Sequence, residues 1–312
     1  MLYDKGKAQN QKNHNEALKA TVARLERIQS QLKDSPRGLR LKDKVCIITG
    51  VGSLKGIGRA SAIRFAHEGA KHLYLLDYEP ANLPNLKATI EEKYPDVKVT
   101  TIQADASDEK AISDVCAQAM KEEGRLDVFF ANAGISTYHQ LDDTPAESFM
   151  KLMRVNALSC FLAIKHASLA MREANPARGK NASGGSIILT ASVAGLRSGA
   201  GPVDYSASKA AVNNLAQTCA CQLQRTDIRV NSICPGLIET GMTSVAFEYA
   251  RQRGTTGKIG QLNPLGRFGI PEEIATVATY LASDESSYIN GQNIAVDGGL
   301  SASLPVLPGR WV

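Results

Sequence analysis

The chain has 312 residues, of which 43% are hydrophobic and 21% charged, the balance of a soluble globular protein with room for one large α/β domain or two small ones. Its net charge of +5 is too small and too scattered to point to a nucleic-acid partner. No apolar run reaches the roughly eighteen residues of a membrane-spanning helix, so no membrane partner is expected.

Residues 1–40 are polar and rich in Lys, Asn and Gln, and they lack the apolar stretch of a secretion signal. Leu18, Val22, Leu25, Ile28 and Leu32 form one helical stripe, which Ser35-Pro36-Arg37-Gly38 ends. This helical extension is either a solvated arm lying on the body or an oligomer contact. From Leu41 the pattern changes. Seven apolar runs of strand length begin at Val45, His72, Val97, Leu126, Ser186, Ile228 and Asn293, with amphipathic helices between them. That alternation predicts a single doubly wound, Rossmann-type α/β domain with a seven-stranded parallel sheet. Thr144-Pro145-Ala146-Glu147 predicts a capped helix start at Thr144. Residues 174–185 read as a polar loop, and 241–263 as an irregular lid holding Phe247 and Tyr249. The expected boundaries are 1–40 for the extension, 41–303 for the catalytic domain and 304–312 for a tail. The six Cys show no paired spacing and read as reduced core thiols of a cytoplasmic protein. The five His form no metal-ligand spacing, so no metal is expected; His139 is either near the substrate or an exposed loop residue.

Chemistry concentrates at the strand ends. Thr49-Gly50 opens a glycine loop that closes at Gly56-Ile57-Gly58, between the first strand and a helix. Glycines there let a pyrophosphate approach the backbone, and the helix N-terminus offers N–H groups to it. The spacing is longer than the common G-x-G-x-x-G. Asp77 ends the second strand, nineteen residues after Gly58. A carboxylate there accepts hydrogen bonds from an adenosine ribose and repels a 2′-phosphate, or it is a plain surface acid. Lys55 and Arg59 argue the other way, since either suits a phosphate. Asp105, followed by Ala106, ends the third strand and either contacts an adenine or caps the next helix. Tyr205 and Lys209 are four apart, one helical turn, and Ser192 lies thirteen residues upstream. A free phenol titrates near ~10, and a neighbouring ammonium favours the phenolate. A serine hydroxyl beside them can hydrogen-bond a substrate oxygen. An isolated Tyr-x-x-x-Lys is also what any surface helix carries by chance.

With these motifs in this order, residues 41–300 resemble the short-chain dehydrogenase/reductase family. Thr49 to Gly58 is similar to its T-G-x3-G-x-G loop, with two residues added. Ala131-Asn132-Ala133-Gly134 matches its N-N-A-G motif with one change. Asn156, Ser192, Tyr205 and Lys209 match its catalytic positions, and Pro235-Gly236 with Ile238 and Thr240 matches its nicotinamide segment. The resemblance implies an NAD(P)-dependent oxidoreductase acting on a small-molecule alcohol or ketone, with NAD as the expected cofactor and NADP as the alternative. It implies cofactor contacts at Gly50, Gly56, Ile57, Gly58, Asp77, Asp105 and Ala106, continuing through Asn132, Ala133, Gly134, Tyr205, Lys209, Pro235, Gly236, Ile238 and Thr240. In the implied mechanism Tyr205 moves the proton, Lys209 assists it, Ser192 orients the oxygen and Asn156 holds a water. The competing reading is a nucleotide-binding relative with a regulatory or non-redox biosynthetic role. The family's habit, together with the apolar surplus on the helices of Asn156 and Tyr205, implies a homotetramer or homodimer. Leu304, Val306, Leu307 and Trp311 of the tail are expected at a subunit boundary.

Overall fold

Segments buried on both faces have no polar side to turn outward, and here the apolar runs stack into one sheet. A computed structural model describes residues 2–303. The strands are β1 (Val45–Thr49), β2 (His72–Asp77), β3 (Lys98–Gln103), β4 (Val128–Ala131), β5 (Gly185–Thr190), β6 (Ile228–Pro235) and β7 (Asn293–Val296). Their order is β3-β2-β1-β4-β5-β6-β7, and every pair is parallel. Ile47 pairs with Tyr74 on one side and Phe129 on the other. Alternation along the strands then feeds two cores. Ile47, Phe129 and Ile187 meet α4 (Glu109–Glu123), α6 (Ser159–Arg172) and α7 (Val203–Gln222). Ile48, Phe130 and Ile188 meet α2 (Ile57–His67), α3 (Leu83–Lys93) and α9 (Pro271–Ala282). Helix α4 shows how local sequence sets its ends. Asp108 accepts from the Lys110 and Ala111 amides at its start, and Gly124 ends it at φ +69°.

Several boundaries differ from the sequence reading. Strand β4 begins at Val128 because Asp127 instead accepts the Val45 amide at 2.8 Å and pairs with Arg125 at 2.8 Å. Thr144 caps no helix. Its hydroxyl donates back to the Gln140 carbonyl at 2.7 Å, and α5 (Ala146–Leu152) starts after Pro145. The expected irregular lid contains a helix, α8 (Ser244–Gln252). Phe247 is drawn into a small core with Phe268 and Ile270, while Tyr249 is exposed. Cys46, Cys116, Cys160 and Cys234 are buried thiols, as burial pushing Cys116 up to about 12 and Cys160 up to about 11 reflects. Cys221 is exposed and is not a core thiol.

The extension is helix α1 (Leu2–Lys33). Leu25 is buried against Phe247, Phe268 and Ile270, and Arg24 donates to the Leu265 carbonyl at 3.2 Å. Arg37 then fixes the linker, donating to Asp96 and to the carbonyls of Ala66 and His67. The arm therefore lies on the body. The tail residues named above fall outside the described residues.

Candidate active site

The sheet order reverses between β1 and β4. Loops leaving neighbouring strand ends part there, and the space between them is where doubly wound folds bind ligands. A cleft of about 640 Å³ occupies this position. Of the expected residues, Gly50, Gly56, Ile57, Asp77, Asn132, Gly134, Ser192, Tyr205, Lys209, Pro235, Gly236, Ile238 and Thr240 line it. Gly58, Asp105, Ala106, Ala133 and Asn156 do not.

The glycine loop is folded tightly on itself. Gly50 has φ +73°, and a Cβ on it would sit 2.7 Å from the Ala133 Cα. A Cβ on Gly58 would fall on the Gly50 carbonyl oxygen, so Gly58 supports the loop from beneath. Helix α2 begins at Ile57 after Gly56, an N-cap that offers no side-chain bond to the first N–H groups, and both residues line the cleft. That is the arrangement a phosphate needs. Asp77 accepts the Gly52 amide at 2.6 Å and the Glu79 amide at 2.9 Å, and Asn82 donates to the Gly52 carbonyl at 2.8 Å. These bonds hold the acid at the cleft wall beside Glu79. Lys55 lies away from the cleft lining, 3.9 Å from Glu239, and Arg59 donates to Asn85 at 2.6 Å. Asp105 accepts from the Ser107 amide at 2.8 Å and its hydroxyl at 2.7 Å, a local turn, and Ala106 joins the core.

Asn132 ties three strands together. It donates to the carbonyls of Thr49 and Gly50 and accepts from Thr190 at 3.0 Å. Lys209 is buried, and its ammonium donates to the Thr190 carbonyl at 2.8 Å. The same ammonium stands 5.6 Å from the centre of the Tyr205 ring. Ser192 accepts the Ala194 amide at 3.1 Å, which leaves its hydroxyl proton for another acceptor. Asn156 lies in a π turn, Met153–Leu158, between α5 and α6. Its amide accepts from the Ile135 amide at 2.8 Å, and donates to the Ile135 carbonyl at 3.0 Å and to Ser208 at 2.9 Å. Ser208 in turn donates to the Tyr205 carbonyl at 2.7 Å. Asn156 thus braces the loop after β4 against the helix of Tyr205. A Cβ on Gly134 would come within 3.1 Å of Asn156 Oδ1 and 3.3 Å of Lys209 Nζ, so a larger residue there would press on both side chains.

Sequence reasoning missed the outer rim. Tyr138 lines the cleft and donates to the Met242 carbonyl at 3.3 Å, while His139 turns to Ser148. Glu79, Asn82 and Thr190 also line it. None belongs to a local pattern that spacing reveals. No residue of 193–203, the stretch between Ser192 and the helix of Tyr205, is in the lining. Among the described residues no group of three His, Cys, Asp or Glu is placed to hold a metal.

A family model described as Enoyl-(Acyl carrier protein) reductase matches residues 50–301. The chain is 36% identical over 268 residues to the levodione reductase of Leifsonia aquatica, which covers 85% of this chain and 96% of that protein. It is 38% identical over 263 residues to the 3-oxoacyl-(acyl-carrier-protein) reductase FabG of Thermotoga maritima, covering 84% of this chain and 99% of that one. A crystal structure of levodione reductase aligns with a TM-score of 0.76 at 35% identity, over 85% of this chain and 100% of that chain. Matched along most of its length by that model and by these reductases, the chain belongs to the short-chain dehydrogenase/reductase family of oxidoreductases.

Proposed function

We propose that this chain interconverts a secondary alcohol and a ketone with NAD(H), using Tyr205 as the acid and base. The observation that carries this reading is one cleft holding both the Tyr205–Lys209 pair and the uncapped start of α2. A bound nicotinamide dinucleotide supplies the hydride acceptor for oxidation and the donor for reduction. The chain's residues do the rest. Tyr205 takes the hydroxyl proton of an alcohol, or gives a proton to a ketone oxygen. Lys209 sets its ammonium 5.6 Å from the centre of the Tyr205 ring. Ser192 donates its free hydroxyl proton to the same substrate oxygen. Gly134 and Asn156 hold Lys209 and the β4 loop in register. Gly50, Gly56 and Ile57 take the pyrophosphate, and Pro235, Gly236, Ile238 and Thr240 take the nicotinamide end.

Asp77, with Glu79 beside it, supports NAD over NADP, because a 2′-phosphate there would meet like charge. Levodione reductase, by its name, reduces a ketone, which supports a carbonyl substrate here. We place the enzyme in the cytoplasm on its free thiols, and as a homo-oligomer on the exposed Leu158, Phe161 and Leu169. Residues 41–303 form the catalytic unit in this reading.

Tyr205→Phe keeps the ring and removes the proton. Turnover with a panel of ketones and alcohols is expected to fall about 100-fold or more. Cofactor affinity, read by fluorescence titration, should change little, and kcat/KM should favour NAD. Turnover within a few-fold of the parent would refute the mechanism.

A further inference from the structure

A second cavity, of about 430 Å³, lies between the end of α1 and helices α2, α3 and α9, and shares no residue with the catalytic cleft. Its walls are mostly apolar, with Leu32 from the arm facing Ile63 of α2 and Ala275 of α9. Three side-chain atoms of lining residues, Arg64 Nε, His67 Nε2 and Glu272 Oε2, are buried without a hydrogen-bond partner. Only seven such atoms occur among the described residues. Buried polar atoms are nearly always partnered, so three beside one cavity set this region apart from the rest of the fold. His67 also lines it, and burial holds this imidazole below its usual pKa, in its neutral form at physiological pH.

The charges are lopsided. Lys33, Arg64 and Lys93 line the cavity against the single acid Glu272. Arg64 is occupied, pairing with Glu68 at 3.1 Å and donating to the Leu32 carbonyl and to Ser35. Lys33, on α1, and Lys93, on α3, form no ion pair among the described residues; Lys93 stands over the Tyr94 ring at 5.4 Å. Two unpaired ammonium groups beside an apolar cavity suit an anionic head with an apolar body. Glu272, on the α9 side, directs such a head toward the lysines. The wall built from α1 lies outside the region that the family model matches, which begins at residue 50. The cavity is therefore made by this chain's own extension.

We propose that this cavity is a second binding site, taking an amphipathic monoanion of the medium-chain carboxylate class. The test is calorimetric titration of the full chain with decanoate, with decanol as the uncharged comparator. Leu32→Trp fills the cavity from the arm, and the double variant Lys33→Glu/Lys93→Glu reverses the lysine charges. Neither touches the sheet or the catalytic cleft. Saturable one-to-one binding of decanoate is expected, weakened at least tenfold in each variant and at least tenfold weaker for decanol. Absence of saturable binding, or affinity unchanged in either variant, overturns the site. Equal binding of decanol overturns the anionic class.

Discussion

Lys209 has its ammonium inside the protein with a single carbonyl, that of Thr190, to receive it. Its charge is thus spent on the cleft and on the Tyr205 ring rather than on solvent. His72 shows the opposite economy. It is fully buried, with Nδ1 on Glu123 at 3.0 Å and Nε2 on Thr100 at 2.8 Å. Burial lowers its pKa, and the Glu123 carboxylate only partly opposes this. An unfolded histidine titrates near ~6.5. The native state therefore holds fewer protons, and stability is complete above that value and lost as pH falls through the folded one. His67 shifts in the same direction. The unfolding free energy from urea titration is expected to drop from pH 7 to pH 5, by at most ~1.4 kcal/mol per pH unit for each histidine, with a matching fall in the midpoint. His72→Gln should flatten that slope. A midpoint constant over the range would refute the assignment. The grouping of Tyr205, Lys209 and Ser192 at the cleft was legible because Tyr205 and Lys209 are one turn apart and Ser192 closely follows a strand end. Thr190 was not, because it acts through its carbonyl. Tyr138 was not, because its partner Met242 is 104 residues away. The Asn156 brace depends on a π turn that no periodicity announces.

The strands were the legible elements, since continuous apolarity needs no tertiary context to read. Their ends were less so: Asp127 leaves β4 to serve β1. The lid hid its helix because Phe247 completes an apolar stripe only when Leu25 of the arm is present. This contact sets what the arm does. Among the described side chains, removing residues 1–34 takes away one buried leucine, about 1.5–3 kcal/mol of burial, but no strand. The expected product is folded and still binds cofactor, with a melting temperature a few degrees lower. Size-exclusion chromatography and fluorescence titration check both points. An insoluble or cofactor-free product would make the arm part of the core.

At the scale of the molecule, one face is left uncovered by the described residues. Leu158, Phe161 and Leu169 are 39%, 42% and 53% exposed along the π turn and α6. Large apolar side chains aligned on a helix are what a symmetric copy covers. Light scattering at micromolar concentration is expected to give about four times the 33.4 kDa chain mass. Phe161→Asp with Leu169→Asp should lower it, and a parent running at the single-chain mass would refute the assembly. The sheet order carries one more consequence. The cleft opens where β1 meets β4, and the Val45 amide finds Asp127 82 residues further along. Gly50 and Asp77 come from the half already made, Lys209 and Thr240 from the half still to come. Such distant pairings are slow to close. A chain leaving the ribosome therefore has no complete cleft until β6 and the loop beyond it have emerged and the seam has shut. In the proposed reading, dinucleotide binding would therefore report that both halves of the sheet have joined.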